Sequence, residues 1–398
     1  MIQLMRPTVW RATFFAALLA SAAAAAWSAR QPRAQYAIRT GRMLDPRTGQ
    51  FEQDAVLLVS SGKIVDVIPR ALFRQTLADS TINLQHLTVL PGLIDAHVHL
   101  AIGGPAAQTA LADLRAGFTT VVDLGARSLR LLRIRDSINV GAIPGPRVLA
   151  AGMWVGVKGG VCEFNGLGIA GTADAFRARI RENVQGGADV IKLCVSGWPN
   201  EAYSNPQKYE IPDDVLIAAV DESRKAGKLV IAHDISVGGV QAALRAGVRG
   251  FAHTPYLDSS TARQLLAQKA FIIPTIASLA GADTSAASRE LVRSLALAYR
   301  LGVTLVFGTD GGVLPHGRNA EEFLALERAG VTPLEAIRAA TVNAARAFGL
   351  SDSLGVIARG MAADIIAVEG NPLEHLSALQ RPTFVMVRGR VVELKTSG

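Results

Sequence analysis

Short apolar runs rich in β-branched residues alternate with longer amphipathic segments through the middle of the chain. Apolar runs of about four to eight residues are typical of buried strands, whereas apolar positions recurring every three or four residues are typical of helices. Eight strand-like runs lie at 91–99, 119–123, 147–151, 190–192, 229–233, 250–253, 271–275 and 303–310, with helical patterns at 173–185, 213–226, 239–246 and 288–301. Eight βα units in series predict an α/β fold, a (β/α)8 TIM barrel, rather than an open doubly wound sheet.

Both ends of the chain after the first thirty residues show a different pattern, of short strands and turns. Strand-like runs lie at 42–46, 55–59 and 64–68 near the beginning, and at 364–368 and 384–392 near the end. Each part is too short to bury a good core alone, so we expect the two to pair into one small β-sandwich. The predicted domains are therefore this sandwich, from 36–90 plus 353–398, and a barrel from 91–352.

A helix start is marked at Thr332, Pro333 and Glu335, with Thr at the N-cap, Pro at the first helical position and Glu at the third. We expect this helix to run toward Ala347 and to lead the chain from the barrel back to the sandwich.

The first thirty residues are typical of an export signal. Arg6 and Arg11 precede an apolar stretch that ends at Trp27, and small residues there offer cleavage sites. We expect residues 1–29 to be removed and the product to be periplasmic or secreted, without a stable membrane anchor. A retained anchor is the alternative, which we disfavour because a bilayer span needs about 20 apolar residues.

Composition suits a soluble enzyme of 398 residues, long enough for a barrel of roughly 250 residues and a smaller domain. The net charge of +8 comes from 41 basic and 33 acidic residues scattered along the chain, without a dense basic block, which argues against a nucleic-acid partner. Export would permit a disulfide, but the sequence leaves open whether Cys162 and Cys194 are bridged or are two buried thiols.

Five predicted strands end on side chains of the metal-ligand type. These residues are His97, His99, Lys192, His233, His253 and Asp310. The carboxyl ends of barrel strands meet at one rim, so the six side chains are expected to gather there. His97 and His99 lie two residues apart on a strand and can therefore chelate one cation. Taken singly, each histidine could be a hydrogen-bonded structural residue and Lys192 a salt-bridged one.

The segment 91–99, Pro-Gly-Leu-Ile-Asp-Ala-His-Val-His, resembles the first-strand motif of the amidohydrolase superfamily, and Gly308-Thr309-Asp310 resembles its eighth-strand motif. The stretches 332–350 and 360–364 resemble the family's return into its sandwich domain. The resemblance covers nearly the whole chain after the leader. Within this superfamily, the lysine on strand four makes the chain similar to the branch that contains prolidase-like dipeptidases and other binuclear metal hydrolases. Imidazolonepropionase is a more distant relative.

The resemblance implies two divalent metal ions, expected to be Zn²⁺, held by the six residues named above. An ammonium group has no lone pair for a metal, and the family resolves this by N-carboxylation of Lys192 with carbon dioxide, which gives a bridging carbamate. His233 and His253 would hold the second ion.

Asp310 is the predicted general base and acid. Two divalent ions lower the pKa of a bridging water toward about 7, and Asp310 would accept its proton and pass it to the leaving amine. The alternative is an aspartate that only caps the following loop, which fits the Asp-Gly-Gly context but leaves the metal cluster without a base.

Substrate contacts are predicted from the loops at the same rim. Several prolidase-like members carry a Tyr two residues after the strand-five His, but this chain has Ile235 there. Tyr203 or Tyr256 could supply that donor from a neighbouring loop, although either could instead be a packed surface aromatic.

For a substrate carboxylate, the candidate cations are Arg127, Lys158 and Arg318, each of which could equally be a solvated surface group. His316, on the strand-eight loop, is a further candidate at the same mouth.

Three function classes follow, all with a small-molecule partner and with a homo-oligomer left open. The first is a binuclear hydrolase of an amide, in a dipeptide or an N-acyl amino acid. The second is a hydrolase of cyclic amides, lactones or other esters. The third is a non-catalytic binding protein on the same fold. The complete set of six candidate ligands argues against the third class, because a degenerate site would be expected to lose ligands first.

Overall fold

The computed structural model describes residues 33–164, 166–197, 205, 207–279 and 286–394, and of residues 286 and 287 only the backbone. The predicted leader 1–29 and Tyr203 lie outside these residues. Across the described ranges, no helix is both long enough and apolar enough to cross a bilayer.

The described residues contain sixteen strands and eleven helices. The strands are β1 (Ala34–Asp45), β2 (Gln50–Gln53), β3 (Ala55–Ser60), β4 (Lys63–Pro69), β5 (Ala78–Pro91), β6 (Leu93–Val98), β7 (Phe118–Asp123), β8 (Arg147–Ala150), β9 (Val190–Cys194), β10 (Leu229–Asp234), β11 (Gly250–His253), β12 (Phe271–Ile273), β13 (Thr304–Leu305), β14 (Ile365–Val368), β15 (Phe384–Val387) and β16 (Arg390–Val391). The helices are α1 (Ala106–Arg115), α2 (Arg130–Asn139), α3 (Ala173–Gln185), α4 (Asp213–Lys225), α5 (Val237–Ala246), α6 (Ser259–Ala267), α7 (Ile276–Leu279), α8 (Ala286–Arg300), α9 (Glu321–Arg328), α10 (Pro333–Arg338) and α11 (Ala344–Ala347).

The eight predicted central strands are all present, as parallel strands β6 to β13. They form a three-stranded sheet in the order β6-β7-β8 and a five-stranded sheet in the order β13-β12-β11-β10-β9. Isolated bridges join Val98 to Gly311 and Val155 to Leu193, which links residues at the edges of the two sheets. The fold is therefore α/β with parallel strands separated by helices, so the carboxyl ends of neighbouring strands lie on the same side.

The parallel strands are mostly buried on both faces, which explains why they are largely apolar, with Asp95, Thr119 and Thr120 as buried polar exceptions. Alternate residues belong to two buried clusters. One cluster contains Ile94, Val122, Val190, Ile231 and Val306, and the other contains Leu93, Val121, Ile191, Val230 and Leu305. The second cluster also holds helix residues such as Leu114, Ile180 and Leu216, so it packs between strands and helices.

Side-chain caps keep several strand-to-helix connections short. Ser236 accepts a hydrogen bond from Gly239 N at 3.0 Å and starts α5, and Asp258 accepts one from Thr261 N at 2.7 Å and starts α6. Such caps satisfy backbone donors that a helix start leaves without partners. Each cap lies within five residues of a candidate ligand, so it also restrains the loop that carries that ligand.

Strands from both chain ends share one eight-stranded sheet, in the order β16-β15-β14-β5-β1-β3-β4 with β2 on β1. The predicted pairing of the two ends is therefore present: β14 lies antiparallel to β5, and β5 lies parallel to β1. The division of this part into a two-layered sandwich stays a prediction.

The return helix begins at Pro333 with Thr332 as N-cap, as predicted, although the Thr332 side chain makes no capping hydrogen bond. A π-helical turn at Ala339–Asn343 separates α10 from α11. Within this turn the Ala339 carbonyl accepts from Phe307 N at 3.0 Å, and Asn343 Nδ2 donates to Leu305 O at 3.1 Å. The return helix thus holds the segment that leads from β13 to Asp310.

Candidate metal centre

Four of the predicted ligands meet around one ring nitrogen. Nε2 of His97 lies 3.3 Å from Nε2 of His99, 3.3 Å from Nζ of Lys192 and 3.4 Å from Oδ1 of Asp310. Nε2 of His99 lies 3.2 Å from the same Asp310 oxygen. All four side chains are buried. The carboxyl ends of β6 and β9 and the segment after β13 therefore meet at one point.

The two remaining histidines extend this group on one side. The ring of His253 lies 5.0 Å from that of His97 and 4.5 Å from that of His233, measured between ring centroids. His233 and His253 are also the residues at the ends of neighbouring strands, with His233 paired to Ala252 in the register of β10 and β11. The structure thus brings together all six residues that the sequence marked as ligands.

Irregular backbone at the strand ends aims some of these side chains. His253 has φ 78° and Asp310 has φ 59°, a left-handed conformation that is uncommon outside glycine and concentrates at functional sites. Ala252 packs in the same buried cluster as Ile231, so strict alternation would turn His253 to the other face. The pairing of β6 with β7 shifts register between Asp95 and Val98, and such a bulge also re-aims side chains.

Burial favours the neutral form of the His97, His233 and His253 imidazoles. Loss of solvent, with a smaller contribution from Lys192, lowers the pKa of His97 well below its usual range and that of His233 to about 3. Burial and the facing His233 lower the pKa of His253 in the same way. A neutral imidazole has a free lone pair on one ring nitrogen, which is the form that binds a metal.

Asp310 and Lys192 respond differently to the same surroundings. Burial alone would raise the pKa of Asp310, but the facing rings of His97 and His99 outweigh it and hold that pKa well below its usual range. Burial lowers the pKa of Lys192 to about 7, against an opposing effect of Asp310. The group therefore contains an ionised carboxylate beside a lysine whose ammonium form is destabilised.

The donor set fits a bound cation. Nδ1 of His99 lies 3.0 Å from the carbonyl oxygen of Gly125, which only accepts hydrogen bonds, so Nδ1 carries a proton and Nε2 is the ring nitrogen that faces Asp310. Nε2 of His97, Nε2 of His99 and Oδ1 of Asp310 lie 3.2 to 3.4 Å from one another, so one cation could contact all three. The pattern of nitrogen and carboxylate donors is typical of zinc and related divalent ions.

A buried aspartate that the sequence analysis did not single out ties the first strand to the last. Asp95 accepts hydrogen bonds from His97 N, from the backbone and hydroxyl of Thr309, and from Asn319 Nδ2, at 2.6 to 3.1 Å. It thereby holds the residues next to His97 and Asp310 in place. The signal was present in the sequence, because a charged residue inside the apolar run 91–99 needs such partners.

Thr275 and Glu322 position His253 and were not found from the sequence. The Thr275 hydroxyl lies 2.7 Å from Nδ1 of His253, and Thr275 itself has φ 53°. The buried carboxylate of Glu322 accepts from Ile276 N at 3.0 Å and Ala277 N at 2.7 Å, directly after Thr275. Burial raises the pKa of Glu322 to about 8. No local pattern marks these residues, since Thr275 lies 22 positions from His253 and Glu322 lies 46 positions from Ile276.

A second buried aspartate fixes two rim loops. Asp123, at the end of β7, accepts from Leu100 N at 2.7 Å and from Gly125 N at 3.0 Å. Burial raises its pKa to about 6. Gly125 has φ 132°, and a Cβ there would collide with the indole of Trp154. The loops after β6 and β7 and the indole therefore pack closely beside His99.

Two aromatic side chains pack beside His99. The Trp154 ring lies 5.5 Å from His99 and 4.8 Å from Phe164, between centroids. Behind it, Cys162 and Cys194 form a disulfide, which answers the alternative that the sequence left open. Cys194 lies on β9, two residues beyond Lys192, so the disulfide ties the loop after β8 to the strand that carries the lysine.

The predicted substrate residues lie at different distances from this group. Tyr256 is half-buried on the loop after β11, three residues beyond His253. His316 is half-buried, with Nδ1 2.9 Å from Asp113 Oδ2 and Nε2 3.3 Å from His99 O, so both ring nitrogens face acceptors of the protein. Burial alone would lower the pKa of His316, but the facing carboxylate of Asp113 outweighs burial, so the pKa is raised.

The three candidate cations are all exposed. Arg318 pairs with Glu321 at 2.5 Å on the surface, three residues away along the chain. Lys158 lies on the loop after β8. Arg127 lies on the loop after β7, two residues beyond Gly125, and lines a cavity that also includes Trp154. Ile235, where relatives of the predicted branch carry Tyr, is buried and offers no donor side chain.

Comparison with known proteins adds to this geometry. Residues 88–392 match the amidohydrolase family. The chain is 28% identical to an ochratoxinase of Aspergillus niger over 404 aligned positions, covering 86% of this chain and 83% of that protein. It is 26% identical to the imidazolonepropionase of Deinococcus radiodurans, over 80% of this chain and 86% of the relative. The solved structure of a Xaa-Pro dipeptidase with methionine in its active site superposes with a TM-score of 0.84 at 27% identity, covering 90% of this chain and 99% of that one.

Proposed function

The chain belongs to the amidohydrolase family, and from that premise we propose that it is a binuclear metal-dependent hydrolase of an amide bond in a dipeptide or an N-acyl amino acid. One observation carries the proposal. Three buried histidines, the half-buried His233, Lys192 and Asp310 converge at the ends of the parallel strands, and Nε2 of His99 lies 3.2 Å from Oδ1 of Asp310.

The residues present would hold two ions. His97, His99 and Asp310 would bind one, and His233 and His253 the other, with Lys192 carboxylated to bridge them. Burial of Lys192 against His97 supports carboxylation, because a neutral amine is the form that adds to carbon dioxide. When bound, two divalent ions, expected to be Zn²⁺, would lower the pKa of a water held between them and polarise the substrate carbonyl.

Asp310 would move the proton. Its carboxylate accepts a proton from the attacking water as the new C–O bond forms at the carbonyl carbon. It then donates that proton to the amine nitrogen as the C–N bond breaks, so that it ends the cycle ionised. The hydrogen bonds of Asp95 to His97 and Thr309 hold the strand ends so that this transfer occurs at a defined place.

The proposed architecture is a closed (β/α)8 barrel over 91–352 with a β-sandwich from 36–90 and 353–398. The bridges from Val98 to Gly311 and from Val155 to Leu193 support closure, since they connect the edges of the two parallel sheets. The shared sheet of β1, β5 and β14 supports a second domain built from both chain ends.

The similar proteins support an amide substrate. One is an ochratoxinase, and another is a Xaa-Pro dipeptidase whose active site holds methionine. A site of this architecture therefore accommodates an amino acid. The second candidate is a hydrolase of a cyclic amide or ester, which the similarity to an imidazolonepropionase favours.

We place the protein outside the cytoplasm, as a small-molecule enzyme without a nucleic-acid partner or a stable anchor. The disulfide between Cys162 and Cys194 supports an oxidising compartment. Sequencing the N-terminus of protein from its native host tests this, and an intact Met1 in a membrane fraction would reject it.

The function is tested by turnover of matched substrates. Metal-loaded protein would be assayed with N-acetyl amino acids, Xaa-Pro dipeptides and lactones, before and after chelation and metal restoration. Cleavage of the linear amides that is lost on chelation and restored by Zn²⁺ is the expected result. Cleavage of lactones or cyclic amides alone would select the second candidate. Metal-loaded protein that cleaves none of them would reject both.

A further inference from the structure

A cavity of about 330 Å³ lies where the central strands meet the sheet that the two chain ends share. Three parts of the chain line it: the end of α1, the loop that follows α2, and the segment from the end of β15 to the residues after β16. Junctions of this kind between two parts of a fold are a common place for small-molecule sites.

The cavity lies at the opposite end of the central strands from the metal centre. α1 ends at Arg115, shortly before β7 begins at Phe118, and the loop after α2 leads into β8 at Arg147. The candidate metal ligands lie at the carboxyl ends of the same parallel series, about 20 Å away along a six-residue strand such as β7. None of the six candidate ligands lines the cavity. A molecule bound here would therefore not touch the metal centre.

Hydrogen bonds fix the walls of the cavity in advance. The guanidinium group of Arg388 donates to Asn139 O at 2.8 Å and to Gly145 O at 3.2 Å, at the two ends of the loop after α2. Nε of Arg115 donates to Glu393 O at 3.1 Å, which joins α1 to the segment after β16. Preformed cavities lose little free energy on ordering when a ligand binds.

The charged side chains of the lining are mostly cationic: Arg115, Arg388, Arg390 and Glu393. Within the described part of the chain, no ion pair joins any of the three arginines to a carboxylate. Arg390 is exposed, and its guanidinium group lies against Gly141, where a Cβ would come within 2.8 Å of Nη1. The missing side chain at Gly141 thus allows this cation to reach the loop on the far wall.

The excess of positive charge continues behind the cavity. Arg147 Nη2 lies 3.8 Å from Oδ2 of the buried Asp364, and the other oxygen of that carboxylate accepts from Arg388 N at 2.7 Å. Burial, and then the neighbouring Arg147, lower the pKa of Arg388, because these cations repel each other. With the two other arginines of the lining, four guanidinium groups are opposed by the carboxylates of Asp364 and Glu393. The region therefore favours a bound anion.

Apolar side chains form most of the remaining lining. Leu114 and Val387 are 2% and 6% exposed, Ile143 is half-buried, and Val391 is 48% exposed. The cavity is therefore apolar inside and accessible to solvent at β16. Its volume suits a small molecule, because pockets for such ligands measure about 300–1,000 Å³.

We propose that this cavity is a binding site, separate from the metal centre, for a small organic anion with an apolar chain or ring. The anionic group would pair with Arg115 and Arg390, since a guanidinium group matches a carboxylate in geometry and charge. The apolar part would cover Ile143 and Val391. The ligand would bridge the central strands and the sheet of the chain ends, and the proposal does not depend on the proposed function.

Calorimetric titration with octanoate tests the site. Octanoate has both parts of the proposed ligand, acetate has only the charge, and 1-octanol has only the apolar chain. Octanoate is expected to bind the metal-loaded protein at least about tenfold more tightly than either, because a charge-assisted hydrogen bond and a buried chain each contribute that much. His97→Ala, which removes a candidate metal ligand that does not line the cavity, should bind octanoate as the parent does.

The cations of the lining have their own variants. Arg115→Gln/Arg390→Gln should weaken octanoate binding about 10- to 100-fold and change 1-octanol binding less than about threefold. Arg388 is left in place because its hydrogen bonds hold the loop. Glu393→Gln should act in the opposite direction and strengthen octanoate binding, because it removes a negative charge from the lining. The matched control is Arg133→Gln, an exposed residue of α2 outside the lining, which should bind like the parent.

The apolar part is tested at an exposed position, where loss of the fold is not expected. Val391→Ala should weaken octanoate binding about three- to tenfold, the effect of removing methyl groups from a partly buried contact. Circular dichroism would check that each variant is folded.

Three results would overturn the site. The first is octanoate that does not bind the parent, or that binds the double variant equally well. The second is loss of octanoate binding in folded His97→Ala, which would place the carboxylate at the metal centre. The third is binding of phosphatidylglycerol vesicles without binding of octanoate, which would assign this surface to a membrane. None of these results depends on whether an amide is hydrolysed, so the proposed function is tested separately.

Discussion

The hydroxyl of Thr275 lies 2.7 Å from Nδ1 of His253, so a residue just after β12 orients a candidate ligand at the end of β11. Thr275 is fully buried and has φ 53°, which is unfavourable for a β-branched residue. Glu322 stabilises this conformation by accepting from the next two backbone N–H groups. The site thus retains local strain because surrounding hydrogen bonds offset it.

Replacing the Thr275 hydroxyl tests whether it orients His253. Thr275→Val keeps the shape but leaves Nδ1 of His253 without its partner, so the affinity for one of two metal ions should fall about 10- to 100-fold. Thr275→Ser keeps the hydroxyl and should restore most of the affinity. Competitive metal titration with a chromophoric chelator measures both. Equal affinity in the valine variant and the parent would show that Thr275 serves only packing.

Asp310→Asn separates proton transfer from metal binding. Asn retains the shape and one ligand oxygen, and it tolerates φ 59° well, but it cannot accept the proton of the water. We expect kcat to fall about 10²- to 10⁴-fold while much of the metal is retained. His97→Ala should instead lose metal and activity together. Activity of Asp310→Asn within about threefold of the parent, with two metals bound, would assign the base to another group.

Lys192 is expected to need carbon dioxide. Reconstitution of metal-free protein without bicarbonate should lower metal content and activity in parallel. Lys192→Ala should regain part of both when short carboxylic acids replace the missing carbamate oxygens. Lys225→Ala, an exposed residue of α4, is the control and should respond as the parent does. An unmodified Lys192 in active, metal-loaded protein, found by mass spectrometry, would disprove the carbamate.

Glu322 should make stability depend on pH. Burial raises its pKa to about 8 from an ordinary 4.5, so between these values the folded protein retains a proton that the unfolded chain releases. The free energy of unfolding therefore contains a contribution that is complete below pH 4.5 and is lost as the pH rises to about 8. Glu322→Gln cannot titrate and should show a smaller loss of stability between pH 5 and pH 8.5 in urea unfolding.

Glu327→Gln is the control for that measurement, because Glu327 is exposed on the same helix, α9. Its pH dependence should match that of the parent. The slope is the readout, since removing a carboxylate from Ile276 N and Ala277 N also lowers stability at every pH. An unchanged slope in Glu322→Gln would place the titration elsewhere, for example at buried Asp123.

The disulfide should stabilise the protein without being needed for the metal. Cys162 and Cys194 lie 32 residues apart, and a loop of that length predicts a loss of about 3–4 kcal/mol on reduction. β9 remains paired with β10 in any case, so Lys192 should stay in place. Calorimetry with and without reductant should show a lower Tm for the reduced parent and no effect of reductant on Cys162→Ala/Cys194→Ala. A parent insensitive to reductant, with two free thiols by titration, would contradict the pairing.

The central strands, and the convergence of the six candidate ligands at their ends, were predictable because most of these residues are buried. A parallel strand covered on both faces has to be apolar throughout, so His97, Lys192 and Asp310 stand out at the ends of such runs. Their convergence then follows from parallel strands alone. The expectation of a carbamate and of a second ion came from the family resemblance, because the residue pattern alone does not indicate them.

The features that the sequence did not predict depend on contacts between residues far apart in the chain. β5 was missed because its 14 residues mix exposed Asp79 and Ser80 with buried positions and show no regular alternation. Glu322 meets Ile276 across 46 residues, and the strain at Thr275 exists only in the folded backbone. The partners of His316 have the same origin: Asp113 lies on α1, 203 residues earlier, and no local signal connects them.

The hydrogen bond from Asp310 N to His97 O joins the first and last strands of the central series, across 213 residues. A growing chain therefore has no complete ligand set until almost all of it has been made and has folded together. Under the proposed function, metal capture would coincide with the final folding step, because a partial set of ligands binds weakly and with little selectivity. The ion that the protein acquires would then be decided by the free metal concentrations of the compartment in which folding ends, rather than by those at the ribosome.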